Sequence, residues 1–252
     1  MIWWLTFVGS SCLNFFILMN IKPRTKVENF QKILSSLFIM STTIRSIFPR
    51  IDVERICYFD SFISSTVIGR SVATIGEISF GIQIAIYLLE IIKRLNISEY
   101  HNSLILFPIC ITIAQGVCWL GVLTKYQLFH CIEESIWAIS VGYCIIPTIV
   151  EIIRKTKNSD SRLIFITGLI ACIMYIIFMS YIDIPMYYKR YIHNENDNMK
   201  YLTLSEGIKD CMSCNIISKD WDIWKEDYYW MFGYFSLSTL FSLAMIQIPK
   251  LF

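Results

Sequence analysis

Charge is scarce in this sequence. Only 17% of its 252 residues are acidic or basic, while 55% are hydrophobic, and the mean hydropathy is +0.53. That balance excludes an ordinary soluble protein of this length. The net charge of +2 leaves no electrostatic footprint for nucleic acid, so none is expected as a partner. No internal repeat is evident, which removes the inverted-repeat signature of many transporters. Between the apolar runs the longest polar segment is 184–228, too short for a soluble domain of usual size.

Histidine is scarcer still. The chain has three: His101 and His130 belong to opposite ends of the apolar runs, and His193 lies in the polar segment. A seven-pass zinc hydrolase of the ceramidase kind needs several histidines on one face, and this chain lacks them. The last apolar run, 229–248, contains no lysine, so no retinal cofactor is expected. Run three closes with Leu89-Glu90-Ile91-Ile92-Lys93-Arg94, without the Asp/Glu-Arg-Tyr triplet of G-protein-coupled receptors. No basic residue precedes the first run, so it is expected to be a retained helix rather than a cleaved signal peptide.

What the chain has is seven apolar runs, roughly 2–20, 31–49, 71–92, 103–123, 131–153, 163–183 and 229–248. A helix rises about 1.5 Å per residue and the hydrocarbon core is about 30 Å thick, so each run is long enough to span it. The expected fold is all-α: a polytopic, integral membrane protein of seven transmembrane helices forming a single domain over 1–252, with the lipid bilayer as its constant partner. Segments 21–30, 93–102 and 154–162 carry Lys22, Arg24 and Lys26, Lys93 and Arg94, and Arg154, Lys155, Lys157 and Arg162. The positive-inside rule places these three segments in the cytoplasm, the N-terminus outside and the C-terminus inside. The sequon Asn96-Ile97-Ser98 conflicts with that placement. Segments 50–70, 124–130 and 184–228 then face outward. Within 184–228, Thr203 to Glu206 has the form of a capping box, and Trp221 to Trp230 reads as an interfacial helix anchoring the last span.

Five cysteines (Cys12, Cys110, Cys118, Cys144 and Cys172) fall inside spans, where a thiol behaves as a small apolar group. Cys57, Cys131, Cys211 and Cys214 map to the outer side, where disulfides are compatible with an oxidising compartment. Cys211-Met212-Ser213-Cys214 is a CxxC without the second motif or βαβ setting that zinc or redox chemistry needs.

Ionisable groups inside a bilayer are default candidates for function. Apart from Glu90, they enter from the outer side: Arg45, Glu77, Glu133, Glu134 and Asp183. Arg70, Thr74, Glu77 and Gly81 share one helical face, so Arg70 can hold Glu77 ionised. His130 shares a face with Glu133 (i+3) or Glu134 (i+4). Glu77, His130, Glu133, Glu134 and Asp183 are therefore the candidate acids, bases or catalytic groups. Arg45 and Arg70 are the candidate anion or substrate binders, and His130, Glu134 and Glu77 the candidate metal ligands. Asn14, Gln83, Gln115 and Gln247 read as interhelical hydrogen-bond formers. Three functions fit: a membrane enzyme acting on a lipid or lipid-linked substrate at an outward-facing site, a transporter, channel or small-molecule binder, and a structural subunit of a membrane complex.

Overall fold

The computed structural model describes residues 2–197, 199–213, 216–249 and 251. Among them, seven long helices account for most of the chain: α1 (Ile2–Asn20), α2 (Lys26–Ile47), α3 (Thr66–Arg94), α4 (His101–Thr124), α5 (Leu128–Lys155), α6 (Ser159–Asn196) and a last helix over 228–244. Five of these, α1 and α3 to α6, are long and apolar enough to cross a membrane, the mark of a multi-pass membrane protein. The expected runs at 31–49 and 229–248 do form helices. However, α2 is diluted by Ser, Thr, Lys, Gln and Arg, and the last helix ends at Ala244, so neither meets the length and hydropathy a span requires on its own.

Two short helices, α7 (Leu204–Ser213) and α8 (Trp221–Trp224), precede the last long helix, α9 (228–244). The only extended structure among the described residues is a three-stranded sheet of two-residue strands: β1 (Arg50–Ile51), antiparallel to β2 (Ile56–Cys57), which runs parallel to β3 (Ile216–Ile217). This sheet marks one end of the helical bundle, called here the sheet end. Segment 48–65 is no exposed loop. Arg50, Ile51, Val53, Arg55, Cys57 and Tyr58 are all buried, and the segment closes the sheet end as a plug.

Two expectations for 184–228 change. Helix α6 continues through 184–196, so it is 38 residues long, about 57 Å, nearly twice the hydrocarbon thickness. Trp221 to Trp230 is broken: α8 stops at Trp224, and a turn separates it from Tyr228. Trp224 is fully buried rather than interfacial, packed 5.2 Å from Trp3 in a cluster with Phe7, Tyr58 and Phe235. The capping box is present as read: Glu206 N–H donates to Thr203 Oγ1 at 3.3 Å, and Thr203 N–H donates to Glu206 Oε2 at 2.8 Å. Three of the four expected interhelical hydrogen-bond formers do bond across helices, while Gln247 lies exposed beyond the end of the last helix. Asn14 donates to Thr239 Oγ1 at 2.5 Å and Gln83 to the Ser242 carbonyl at 2.9 Å. All eight described cysteines are free, Cys57, Cys131 and Cys211 among them; Cys214 lies outside the described residues.

Three π-helical turns interrupt the long helices: Val141–Ile145 in α5, Met179–Asp183 in α6 and Gly233–Leu237 in α9. The first two have a visible cause. Pro147 and Pro185 sit just after them. A proline lacks an N–H and clashes with the carbonyl four residues back. The backbone widens, and Ile184 N–H reaches the Met179 carbonyl, five residues back. Such bulges are frequent at functional sites, and two of them carry residues of the site described next.

Candidate functional site

The site is a polar network buried at the sheet end. Glu77, on α3, is its hub. Its Oε1 receives Arg45 Nη1 from α2 at 3.5 Å and the Tyr234 hydroxyl from α9 at 3.2 Å. Its Oε2 receives Arg70 Nη2 at 3.0 Å and Gln115 Nε2 from α4 at 2.5 Å. The shared face of Arg70 and Glu77 thus gives the expected pair. Arg70 Nη2 also donates to Gln115 Oε1 at 2.5 Å and lies 3.9 Å from Glu133 Oε1. Four helices therefore meet on one carboxylate whose lone pairs are all engaged. Two of its donors are guanidiniums, so breaking this set leaves buried charge without a partner.

The network continues along α5. Glu133 Oε2 lies 2.9 Å from His130 Nδ1. Cys118 Sγ, on α4, lies 3.9 Å from the same ring nitrogen. His130 Nε2 has no partner; that edge of the ring packs on Gly121, where a Cβ would stand 3.1 Å away. Tyr187 of α6 stacks on the imidazole with centroids 5.0 Å apart. Arg45 lies over the Tyr234 ring, 5.1 Å from its centroid.

Glu134 and Asp183 behave differently. Helices α5 and α6 are antiparallel neighbours, His130 meeting Tyr187 and Cys131 Sγ meeting the Ile184 carbonyl at 3.7 Å. One turn further along α5 is Glu134, and one turn back along α6 is Asp183. The two carboxylates therefore stand at one level of the same interface, within electrostatic reach of each other. Among the described residues neither has a hydrogen bond or an ion pair to a protein group, although Asp183 is only 4% exposed. Asp183 closes the π turn of α6.

A second ring of charge braces the plug, and nothing local in the sequence marks it. Arg50 donates through Nε to Asp52 Oδ1 at 2.5 Å and also to the Ser64 carbonyl and Thr66 Oγ1. Arg55 pairs with Asp210 of α7 at 2.7 Å and donates to the Val122 carbonyl at 2.8 Å. Arg190 pairs with Asp227 at 2.7 Å and reaches Glu54 at 3.7 Å. Burial pushes the Asp52 carboxyl up, but Arg50, Arg45 and Arg70 outweigh it and hold the group below the ordinary carboxylate value. The same contest, decided by Arg55 and Lys125, lowers Asp210. Burial wins at Glu54 and raises it, against the pull of Arg190. These residues look like ordinary loop charges in sequence; only the fold of 48–65 against α7 reveals them.

The structure thus links Arg45, Glu77, Arg70, Glu133 and His130 into one chain of contacts and sets Glu134 and Asp183 beside it. Of the expected metal candidates, Glu77 is saturated by four donors, and Glu134 is not grouped with His130. Among the described residues the side chains that converge closely enough for one ion are Cys118, His130 and Glu133. Two open cavities, of about 480 and 340 Å³, lie at the opposite end, one beside Arg24, Glu28 and Arg94 and one beside Ile17 and Leu243; neither includes a network residue. No family model matches this chain, and no curated protein or solved structure is detectably similar to it.

Proposed function

We propose that this is a proton- or cation-handling membrane protein whose working groups are Glu134 and Asp183. The observation that carries the reading is their lack of partners. Arg45, Arg70, Glu77, His130, Glu133, Arg50, Asp52, Arg55, Asp210, Arg190 and Asp227 are all paired, while these two carboxylates, at one level of the α5–α6 interface, have no hydrogen bond or ion pair among the described residues. Two like charges at one level of a helix interface, with Asp183 buried and Glu134 half-buried, do not both stay ionised, so the pair holds either a shared proton or a bound cation. Unpaired acids inside transmembrane helices are characteristic of proton and ion pathways. The π turn at Asp183 supports the same assignment.

This reading is favoured over a lipid-linked hydrolase on two grounds. Arg45 and Arg70 are committed to Glu77, so they are poor phosphate receptors. His130 meets both Glu133 and Cys118 through Nδ1, whereas a nucleophile–base–acid relay needs the two ring nitrogens on opposite partners. In the proposed topology α2 and α9 also cross the bilayer, which makes seven spans. The sheet end faces outward, because the positively charged segments 21–30, 93–102 and 154–162 prefer the inside.

The test uses the full chain in proteoliposomes loaded with a pH-sensitive dye, under an imposed proton or sodium gradient. Wild type is expected to dissipate one of the gradients faster than empty vesicles, and Asp183→Asn and Glu134→Gln to remove the excess rate. Equal rates for wild type and empty vesicles under both gradients, or undiminished rates in both variants, would overturn the reading.

A further inference from the structure

We propose that Cys118, His130 and Glu133 form a binding site for a single zinc-class divalent cation, separate from the Glu134–Asp183 pair. Helix α4 supplies the thiol, and α5 supplies the imidazole and the carboxylate three residues apart on one face. His130 Nδ1 is 2.9 Å from Glu133 Oε2 and 3.9 Å from Cys118 Sγ. One donor atom from each residue lies within 4.8 Å of the other two. Tetrahedral zinc with bonds of 2.0–2.3 Å sets neighbouring donors about 3.3–3.8 Å apart. The observed spacings bracket that range, so small side-chain adjustments centre an ion.

The surroundings are built for the approach. Cys118 is fully buried, Glu133 is 3% exposed and His130 5%. Gly121, one turn along α4 from Cys118, presents no Cβ, and any side chain there would stand 3.1 Å from the imidazole. Its absence lets the ring close on α4 beside the thiol. Tyr187 stacks on a face of the ring, with centroids 5.0 Å apart, and fixes the ring plane.

Donor chemistry selects the metal. Thiolate with imidazole and one carboxylate suits zinc and its borderline neighbours, whereas magnesium and calcium require oxygen sets. Binding replaces two protons: the thiol proton leaves to solvent as the sulfur–metal bond forms, and the proton shared by His130 Nδ1 and Glu133 Oε2 moves to the unpartnered Nε2 as the imidazole changes tautomer and binds through Nδ1. Thiolate and carboxylate then balance the divalent charge. The nearest other charge, Arg70, faces Glu133 Oε1 at 3.9 Å and is itself matched by Glu77, leaving Glu133 Oε2 for the ion. Three protein donors leave a fourth coordination position for water or a small ligand, the arrangement of reactive rather than purely structural zinc sites.

The test is cobalt titration of the purified full chain in lipid nanodiscs, followed by zinc competition and zinc-edge X-ray absorption. Wild type is expected to bind one cobalt with a thiolate-to-cobalt charge-transfer band that zinc abolishes, and the zinc spectrum to contain one sulfur neighbour. Cys118→Ser should remove the band. His130→Asn and Glu133→Gln should weaken zinc at least about 100-fold, since even outer-shell changes weaken metal binding about 10–100-fold. Cys131→Ser and Asp183→Asn should leave binding intact, which separates this site from the proton- or cation-handling pair. Folded wild type with no sulfur neighbour to zinc, or a band that survives Cys118→Ser, would overturn the proposal without needing any variant that fails to fold.

Discussion

Replacing Glu77 by glutamine is expected to destabilise the protein before it touches any activity. Glu77 is the counter-charge for Arg45 at 3.5 Å and Arg70 at 3.0 Å, and all three side chains are at most 10% exposed. Glutamine keeps the shape and one acceptor but removes the charge, and its amide points a donor at groups that are already donors. Breaking one side of a buried ion pair typically destabilises by about 3–5 kcal/mol, because a charge is left unpaired. Arg70 has a fallback in Glu133 at 3.9 Å, which favours the lower end, about 3 kcal/mol. That is a large share of a stability of about 5–15 kcal/mol. The assay is reversible denaturant unfolding in nanodiscs, with Glu134→Gln alongside. Glu134 has no partner to lose, and its neutralisation relieves repulsion from Asp183, so that variant should stay within about 0.5 kcal/mol of wild type or exceed it. Combining Glu77→Gln with Arg45→Met should recover part of the loss, because the two residues share one network. A loss below about 1 kcal/mol for Glu77→Gln, or a larger loss for Glu134→Gln, would refute the division into a structural hub and a working pair.

Acid should open the plug before the helices. Asp52 and Asp210 have depressed pKa values in the folded protein, so their stabilisation is present above the unfolded value of about 3.9 and is lost as pH falls through the folded one. Glu54 is raised, so its contribution grows as pH falls through its folded value. Amide exchange at Arg55 to Cys57, corrected for intrinsic rates, should hold or slow from pH 7 to about 5 and accelerate below about 4; acceleration already between 7 and 5 would contradict this. Gly207→Ala should undock α7, because its Cβ would overlap the Leu123 carbonyl. Overpacking of this kind typically destabilises by about 1–3 kcal/mol, and unchanged protection of α7 would disprove the close approach. In a glycosylating host Asn96 should stay unmodified, since the proposed topology places it inside; glycan there would invert the orientation.

Much of the site was legible because helical periodicity acts over short range. Arg70 and Glu77, or His130 and Glu133, lie a turn or two apart, and their pairing follows from one helix alone. Contacts across the fold were not legible. Tyr234 reaches Glu77 over 157 residues, and nothing local marks it. Cys118 reads as an apolar filler of a span, and only the return of α5 places an imidazole beside it. The buried arginines of 48–65 resemble loop charges until the small sheet and α7 enclose them. The extension of α6 to Asn196 was hidden by Pro185, which suggests a helix end but is absorbed by a π turn. The low hydropathy of α2 reflects polar contacts with its neighbours: Arg45 joins the network at Glu77, Gln31 and Ser41 bond to carbonyls of α3, Ser35 accepts from Ser242 of α9, and Ser46 meets Ser11 of α1.

The most direct measurement is an infrared titration of carboxyl groups in the reconstituted protein. Wild type is expected to show a protonated-carboxyl C=O band that appears or shifts as pH or sodium concentration changes. Asp183→Asn should abolish the response, Glu134→Gln should shift it, and Cys118→Ser should leave it in place. A spectrum that is the same in wild type and Asp183→Asn across pH and sodium concentration would show that the pair holds neither proton nor cation and would contradict the central claim.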